Sequence, residues 1–101
     1  MNKILLSTIV LAVTLIAANH TIDQKDKTFI PHSITVSVGD TITFVNSDPF
    51  AHNAYTDDEA NEFDIGMQKP GHDIKVPVKG AGKFVIECAI HPNMLLEVDA
   101  K

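Results

Sequence analysis

Gly82-Lys83-Phe84-Val85-Ile86-Glu87-Cys88-Ala89-Ile90-His91-Pro92-Asn93-Met94 is the stretch from which the rest of the chain can be read. Phe84, Ile86 and Cys88 recur at every second position, the period of a half-buried strand, so all three face the same side. Cys88 thus ends on the core side, where the strand leaves its sheet. A tight turn, stiffened by Pro92, then returns His91 and Met94 to the same point.

Working outward, the same two-residue period recurs. Ile74, Val76 and Val78 share a face, and Lys79-Gly80-Ala81-Gly82 turns the chain into the stretch quoted above. Ile34, Val36 and Val38 point one way within Ser33 to Val38, Gly39-Asp40 makes a turn, and Thr41 to Val45 is expected as the hairpin partner. A last strand, around Leu95 to Val98, is expected beside its predecessor. Asn46 to Met67 reads as irregular, with a turn of helix near Asp57 to Asn61. No long helical period and no internal repeat appears, so the expected fold is all-β, a two-sheet sandwich or small barrel.

The first residues differ from all of this. Lys3 precedes an apolar run from Ile4 to Ala18, broken only by Ser7, Thr8 and Thr14 and closed by Ala17-Ala18. A positive start, a short apolar stretch and small closing residues predict a signal peptide over 1–18 and a single domain over 19–101. The run is short for a membrane span. Its rival reading is an uncleaved anchor, which would be the chain's one link to a membrane. The expected location is periplasmic or otherwise exported.

The remaining domain, about 83 residues, has room for one thin core. It is acidic: thirteen Asp and Glu stand against eight Lys, a formal net charge of −5 that becomes more negative once Lys3 leaves. Without a basic stripe, nucleic-acid binding lacks its electrostatic footing, and a positively charged protein partner is expected instead.

Cys88 is the single cysteine, so no internal disulfide can form. An unpaired thiol in an oxidising compartment needs an explanation, and metal ligation supplies one. One thiolate, two imidazoles and a thioether are the ligand types of a blue-copper electron-transfer site. Cys88, His91 and Met94 supply three of the four. The strongest candidate for the remaining imidazole is His52, within Asp48-Pro49-Phe50-Ala51-His52-Asn53, because in a sandwich the loops after Val45 and after Cys88 can share a pole. Taken alone, Cys88 and Met94 would pass for core residues and His52 for a loop histidine.

The chain resembles the cupredoxins, most closely their small plastocyanin-like and amicyanin-like members. The resemblance rests on Val38-Gly39-Asp40-Thr41, Phe44-Val45-Asn46, His52-Asn53, the turn from Gly80 to Phe84, and Cys88 to Met94, and covers nearly the whole of 19–101. It implies a Greek-key sandwich of eight strands binding one type 1 copper ion. The implied ligands are His52, Cys88 and His91, with Met94 as the weak axial ligand. Asn53 is implied to brace the cysteine loop, and His91 to reach the surface through an apolar patch that Pro49, Phe50, Ile90 and Pro92 would build. The chain departs from the pattern in carrying Leu95-Leu96 where relatives have a glycine soon after the methionine.

The expected function is that of an exported monomeric electron carrier cycling Cu(I)/Cu(II) between redox protein partners, such as a basic c-type cytochrome or an oxidoreductase, and not an enzyme. The alternative is copper delivery with the same ligands. A cysteine hydrolase would need a cleft and an oxyanion site that nothing here marks, and zinc rarely takes a thioether. Asp57, Asp58, Glu59, Glu62 and Asp64 would steer a basic partner or form a solvated loop. His20, His32 and His72 are expected at the surface, and Met67 in loop packing.

Overall fold

The structure, a computed structural model, describes residues 16–101. The expected signal segment thus lies outside the described residues except for its last three positions. Among the described residues there is no helix. Nine strands form two sheets: β1 (Asn19–Lys25), β2 (Thr28–Ile30), β4 (Thr41–Asn46) and β7 (Ile74–Pro77) lie in the order β2-β1-β4-β7. The other sheet, ordered β3-β9-β8-β5-β6, holds β3 (Ser33–Val36), β5 (Tyr55–Thr56), β6 (Phe63–Asp64), β8 (Gly82–Glu87) and β9 (Leu95–Ala100). The all-β, two-sheet expectation holds, with nine strands among the described residues where the resemblance implied eight.

The inward faces of both sheets make one core, in which Ile22, Ile42, Phe44, Ile86, Met94 and Leu96 are at most 1% exposed. The two-residue period sorts β8 as expected, with Phe84 and Ile86 inward, Val85 outward, and Cys88 buried just past the strand end. β9 pairs antiparallel with β8 from Gly82↔Ala100 to Glu87↔Leu95, so Leu95-Leu96 continues an ordinary strand.

The expected hairpin does not form. β3 runs parallel to β9 in one sheet, whereas β4 lies between β1 and β7 in the other. The turn between them closes with the Asp40 amide donating to Ser37 O at 2.9 Å, and its third residue, Gly39, has φ +96°, which favours glycine. It carries the chain from one sheet to the other. Local alternation cannot tell these outcomes apart, because two consecutive strands with inward apolar faces can either pair or face each other across a core. Val38 consequently emerges at the turn, about half exposed, instead of sharing the face of Val36.

Two further differences concern segments with weak apolar patterning. β1, mostly polar in sequence, is held by ladders on both sides, antiparallel to β2 and parallel to β4. The expected helical turn near Asp57 to Asn61 is a hydrogen-bonded turn, Asn61 N to Asp58 O, followed by β6. Asn61, buried, ties this turn to the one at Lys79-Gly80. Its Oδ1 accepts from the amides of Lys79 and Gly80, and its Nδ2 donates to Asp58 and Gly80 O.

Candidate metal centre

Three of the residues singled out in the sequence converge at one pole. A ligand atom from each of His52, Cys88 and His91 lies within 4.8 Å of the other two, and this is the only such group of three among the described residues. His52 Nδ1 is 3.1 Å from His91 Nδ1, and Cys88 Sγ is 3.7 Å from His91 Nδ1. The loop that makes this happen is short: the Met94 amide donates to His91 O at 2.9 Å, closing the turn through Pro92 and Asn93. Met94 ends the loop buried against the core, immediately before β9.

His52 is held from both sides of its backbone. It forms an isolated bridge with Gln68, His52 N to Gln68 O at 3.0 Å and Gln68 N to His52 O at 2.7 Å. Gln68 is itself fixed by Asn46 Nδ2, which donates to its carbonyl, and its own side-chain amide donates to Phe44 O. These bonds pin the loop after β4 to the sheet core and fix the backbone that carries His52.

Asn53 joins the two loops. Its Oδ1 accepts from the Ala89 amide at 3.1 Å, its Nδ2 donates to Asp64 and to Gly66 O, and its backbone amide points at Cys88 Sγ from 3.4 Å. The bracing implied for Asn53 is therefore present in the hydrogen bonds.

The rings differ in exposure. His52 is fully buried, whereas His91 is partly exposed beside Phe50 and Ile90, which are 37% and 47% exposed. Phe50 packs against both imidazoles, with centroid distances of 5.2 and 5.6 Å. Desolvation, with the nearby His52 and Lys27, holds His91 below the ordinary histidine range against an opposing pull from Asp48. A neutral imidazole is the form that can bind a metal.

Sequence reading missed Asp48. Its carboxylate accepts from His52 Nε2 at 2.7 Å and from the amides of Asp26 and Lys27 at 2.8 and 3.0 Å. An acid four residues before a loop histidine was visible, but nothing in that spacing says that a distant turn supports it. Met67, expected in loop packing, is 64% exposed. His32 and His72 are exposed as expected, while His20 is partly covered and bonded through Nε2 to Asp40 at 2.9 Å.

A buried thiol and two imidazole Nδ1 atoms, gathered at the pole of a two-sheet β-sandwich, fit copper by donor type and define a protein of the cupredoxin class. The chain belongs to the plastocyanin/azurin family of copper binding proteins, whose family model matches residues 16–98, and its cofactor is copper. It is 34% identical over 79 residues to the methylamine utilization protein MauL of Methylophilus methylotrophus, covering 75% of this chain and 45% of that one. A plastocyanin from the chloroplast of Chlamydomonas reinhardtii is 29% identical over 72 residues, covering 62% and 50%. The chain thus spans about half the length of these relatives. Among solved structures, a reduced amicyanin variant superposes with a TM-score of 0.72 at 24% identity, covering 80% of each chain. The copper-containing nitrite reductase of Thermus scotoductus gives 0.75 at 23% identity, over 94% of this chain but 24% of that one. These structures share the fold.

Proposed function

We propose that the chain is an exported electron carrier, with His52, Cys88 and His91 as strong ligands of one type 1 copper ion and Met94 as the weak axial ligand. The observation that carries this reading is the meeting of one ligand atom each from His52, Cys88 and His91 within 4.8 Å on a hydrogen-bonded frame. Copper supplies the Cu(I)/Cu(II) couple. The chain supplies a fixed geometry: Asn53 ties the Cys88 loop to the His52 loop, and Gln68 ties the His52 loop to the core. A frame that does not move between oxidation states keeps the reorganisation cost of each transfer low.

His91 is the electron port in this reading. It is the ligand ring that reaches the surface, and the exposed faces of Phe50 and Ile90 give a partner apolar ground on which to dock. The partner is a basic redox protein, such as a c-type cytochrome, drawn by the chain's negative charge. Residues 1–18 serve as the export signal, and 19–101 act as a monomeric domain that shuttles electrons without catalysing a reaction of its own.

The test is the visible absorption and electron paramagnetic resonance of the protein with one equivalent of Cu(II), beside Cys88→Ser and Met94→Ala. The expected result is an intense blue or green band with narrow copper hyperfine splitting, lost in Cys88→Ser and altered in Met94→Ala. A colourless protein with an ordinary Cu(II) spectrum would sink the reading. Ready loss of Cu(I) to a competing chelator would instead assign the same ligands to copper delivery.

A further inference from the structure

Asp48 links the metal centre to a part of the fold that no ligand belongs to. The chain connects β1 to β2 through Asp26-Lys27, with Lys25 paired to Thr28 across a two-residue hairpin loop. Both loop residues are left-handed, Asp26 at φ +53° and Lys27 at φ +56°. Such loops favour Asn or Asp followed by Gly, and a lysine in the second place is costly. What the arrangement gains is direction: both loop amides point at the Asp48 carboxylate, at 2.8 Å from Asp26 and 3.0 Å from Lys27. Asp48 is nearly sealed from solvent, and its own amide donates to Asn46 Oδ1 at 3.0 Å, which fixes the backbone that carries it.

A buried carboxylate with two amide donors and an imidazole donor is stabilised as an anion. Facing it, His52 Nε2 at 2.7 Å must carry the ring proton, which leaves the lone pair on Nδ1, the atom 3.1 Å from His91 Nδ1. The ring's rotation and its tautomer are thereby set by one contact. An anion on the far nitrogen of a ligand imidazole also makes that imidazole a stronger donor, and a stronger donor favours the more highly charged oxidation state of the metal.

We propose that Asp48, held as an anion by the β1–β2 turn, is a positioning residue that fixes His52 as an Nδ1 donor and lowers the reduction potential of the copper centre. The redox half rests on the function proposed above; the positioning half is a property of the chain alone. A purely structural Asp48, serving only to staple the turn to the loop, would change stability and neither of these readouts.

Two measurements test it. In the metal-free protein, nitrogen-15 NMR of the histidine rings is expected to show His52 as the Nε2–H tautomer with a slowly exchanging proton, and to show that protection lost in Asp48→Ala. A wild-type Nδ1–H tautomer overturns the positioning half. In the copper-loaded protein, Asp48→Asn keeps an acceptor for Nε2–H and removes the charge. Its ratio of reduced to oxidised protein at a fixed solution potential is expected to rise about tenfold, equivalent to about 59 mV for one electron. A ratio within twofold of wild type, with the thiolate band retained, overturns the redox half. A wild-type protein that forms no thiolate band overturns the proposed function and the redox half together, and the tautomer still decides positioning.

Discussion

His52 Nδ1 and His91 Nδ1 lie 3.1 Å apart across 39 residues of chain, one ring sealed in the core and the other open to its surface. His52 Nε2 is engaged by the Asp48 carboxylate at 2.7 Å, while His91 Nδ1 also lies 3.7 Å from Cys88 Sγ. Two nitrogens of the proposed ligand set are thus held close together by the fold. The fold buries the His52 ring and leaves part of His91 at the surface.

Copper should stabilise this domain strongly, since a thin core with no disulfide has few other staples. With free copper at about a thousand times its dissociation constant, linkage adds about 4 kcal/mol. Thermal melts with and without one equivalent of Cu(I) should show a rise in Tm that Cys88→Ser largely removes. An unchanged Tm in wild type would mean that the ligand atoms do not close on a metal.

Asn53→Ala should weaken both the fold and the centre. It deletes the acceptor of the Ala89 amide and the donor to Asp64 and Gly66 O, a loss of about 1–3 kcal/mol for a buried hydrogen-bonding group. Denaturant melts should show the loss of stability. Broader copper hyperfine lines in the same variant would report a looser Cys88 loop.

Gly80→Ala should destabilise through overpacking. A β-carbon built at Gly80 would sit 2.5 Å from the Ala60 Cβ, next to the turn that Asn61 ties down. The expected cost is about 1–3 kcal/mol, read as a lower denaturation midpoint. The double variant Gly80→Ala with Ala60→Gly should recover most of it, because the clashing atom is gone.

Acid should loosen the edge where β1 meets the turn before β4. The His20 ring and the amides of Ser37 and Ala18 bond to Asp40 and draw its carboxyl from 3.8 to about 2. A carboxyl lowered on folding contributes stability that is fully present above its unfolded value and is lost as pH falls through its folded value. Asp40→Asn should therefore be less stable than wild type at pH 5 to 7, with the difference vanishing as pH falls from about 4 towards 2. Paired melts across that range would check it, and a constant difference would assign the effect to packing.

Electron exchange with a basic c-type cytochrome should slow steeply with salt, since exposed charges are screened over about 8–10 Å at 0.1–0.15 M. Not all of the acidic run is equally free to steer. Asp58 accepts from Asn61, and Asp64 accepts from Asn53 and the Gly66 amide, while Asp57, Glu59 and Glu62 are exposed. Neutralising Asp57, Glu59 and Glu62 together should flatten the salt dependence of the association rate. A rate indifferent to salt in the wild type would exclude electrostatic steering.

Much of this protein is written locally. The two-residue period of Phe84, Ile86 and Cys88 fixed which face of β8 is buried, because side-chain direction in a strand alternates whatever lies beyond it. The spacing from Cys88 to Met94, with Pro92 inside it, predicted a closed loop for the same reason: its geometry depends on a handful of consecutive residues. The tertiary structure decided what depends on partners distant in sequence. Whether Ser33–Val36 and Thr41–Asn46 pair or face each other is settled by β9 and β1, which the alternating pattern of either segment does not name. His52 becomes a neighbour of Cys88 when Gln68 and Asn53 hold its loop against the far one, and the turn from β1 delivers two amides to the Asp48 carboxylate that meets His52 Nε2. Periodicity is a property of neighbours in the chain, whereas the meeting of ligand, brace and turn is a property of which loops the two sheets bring to one pole.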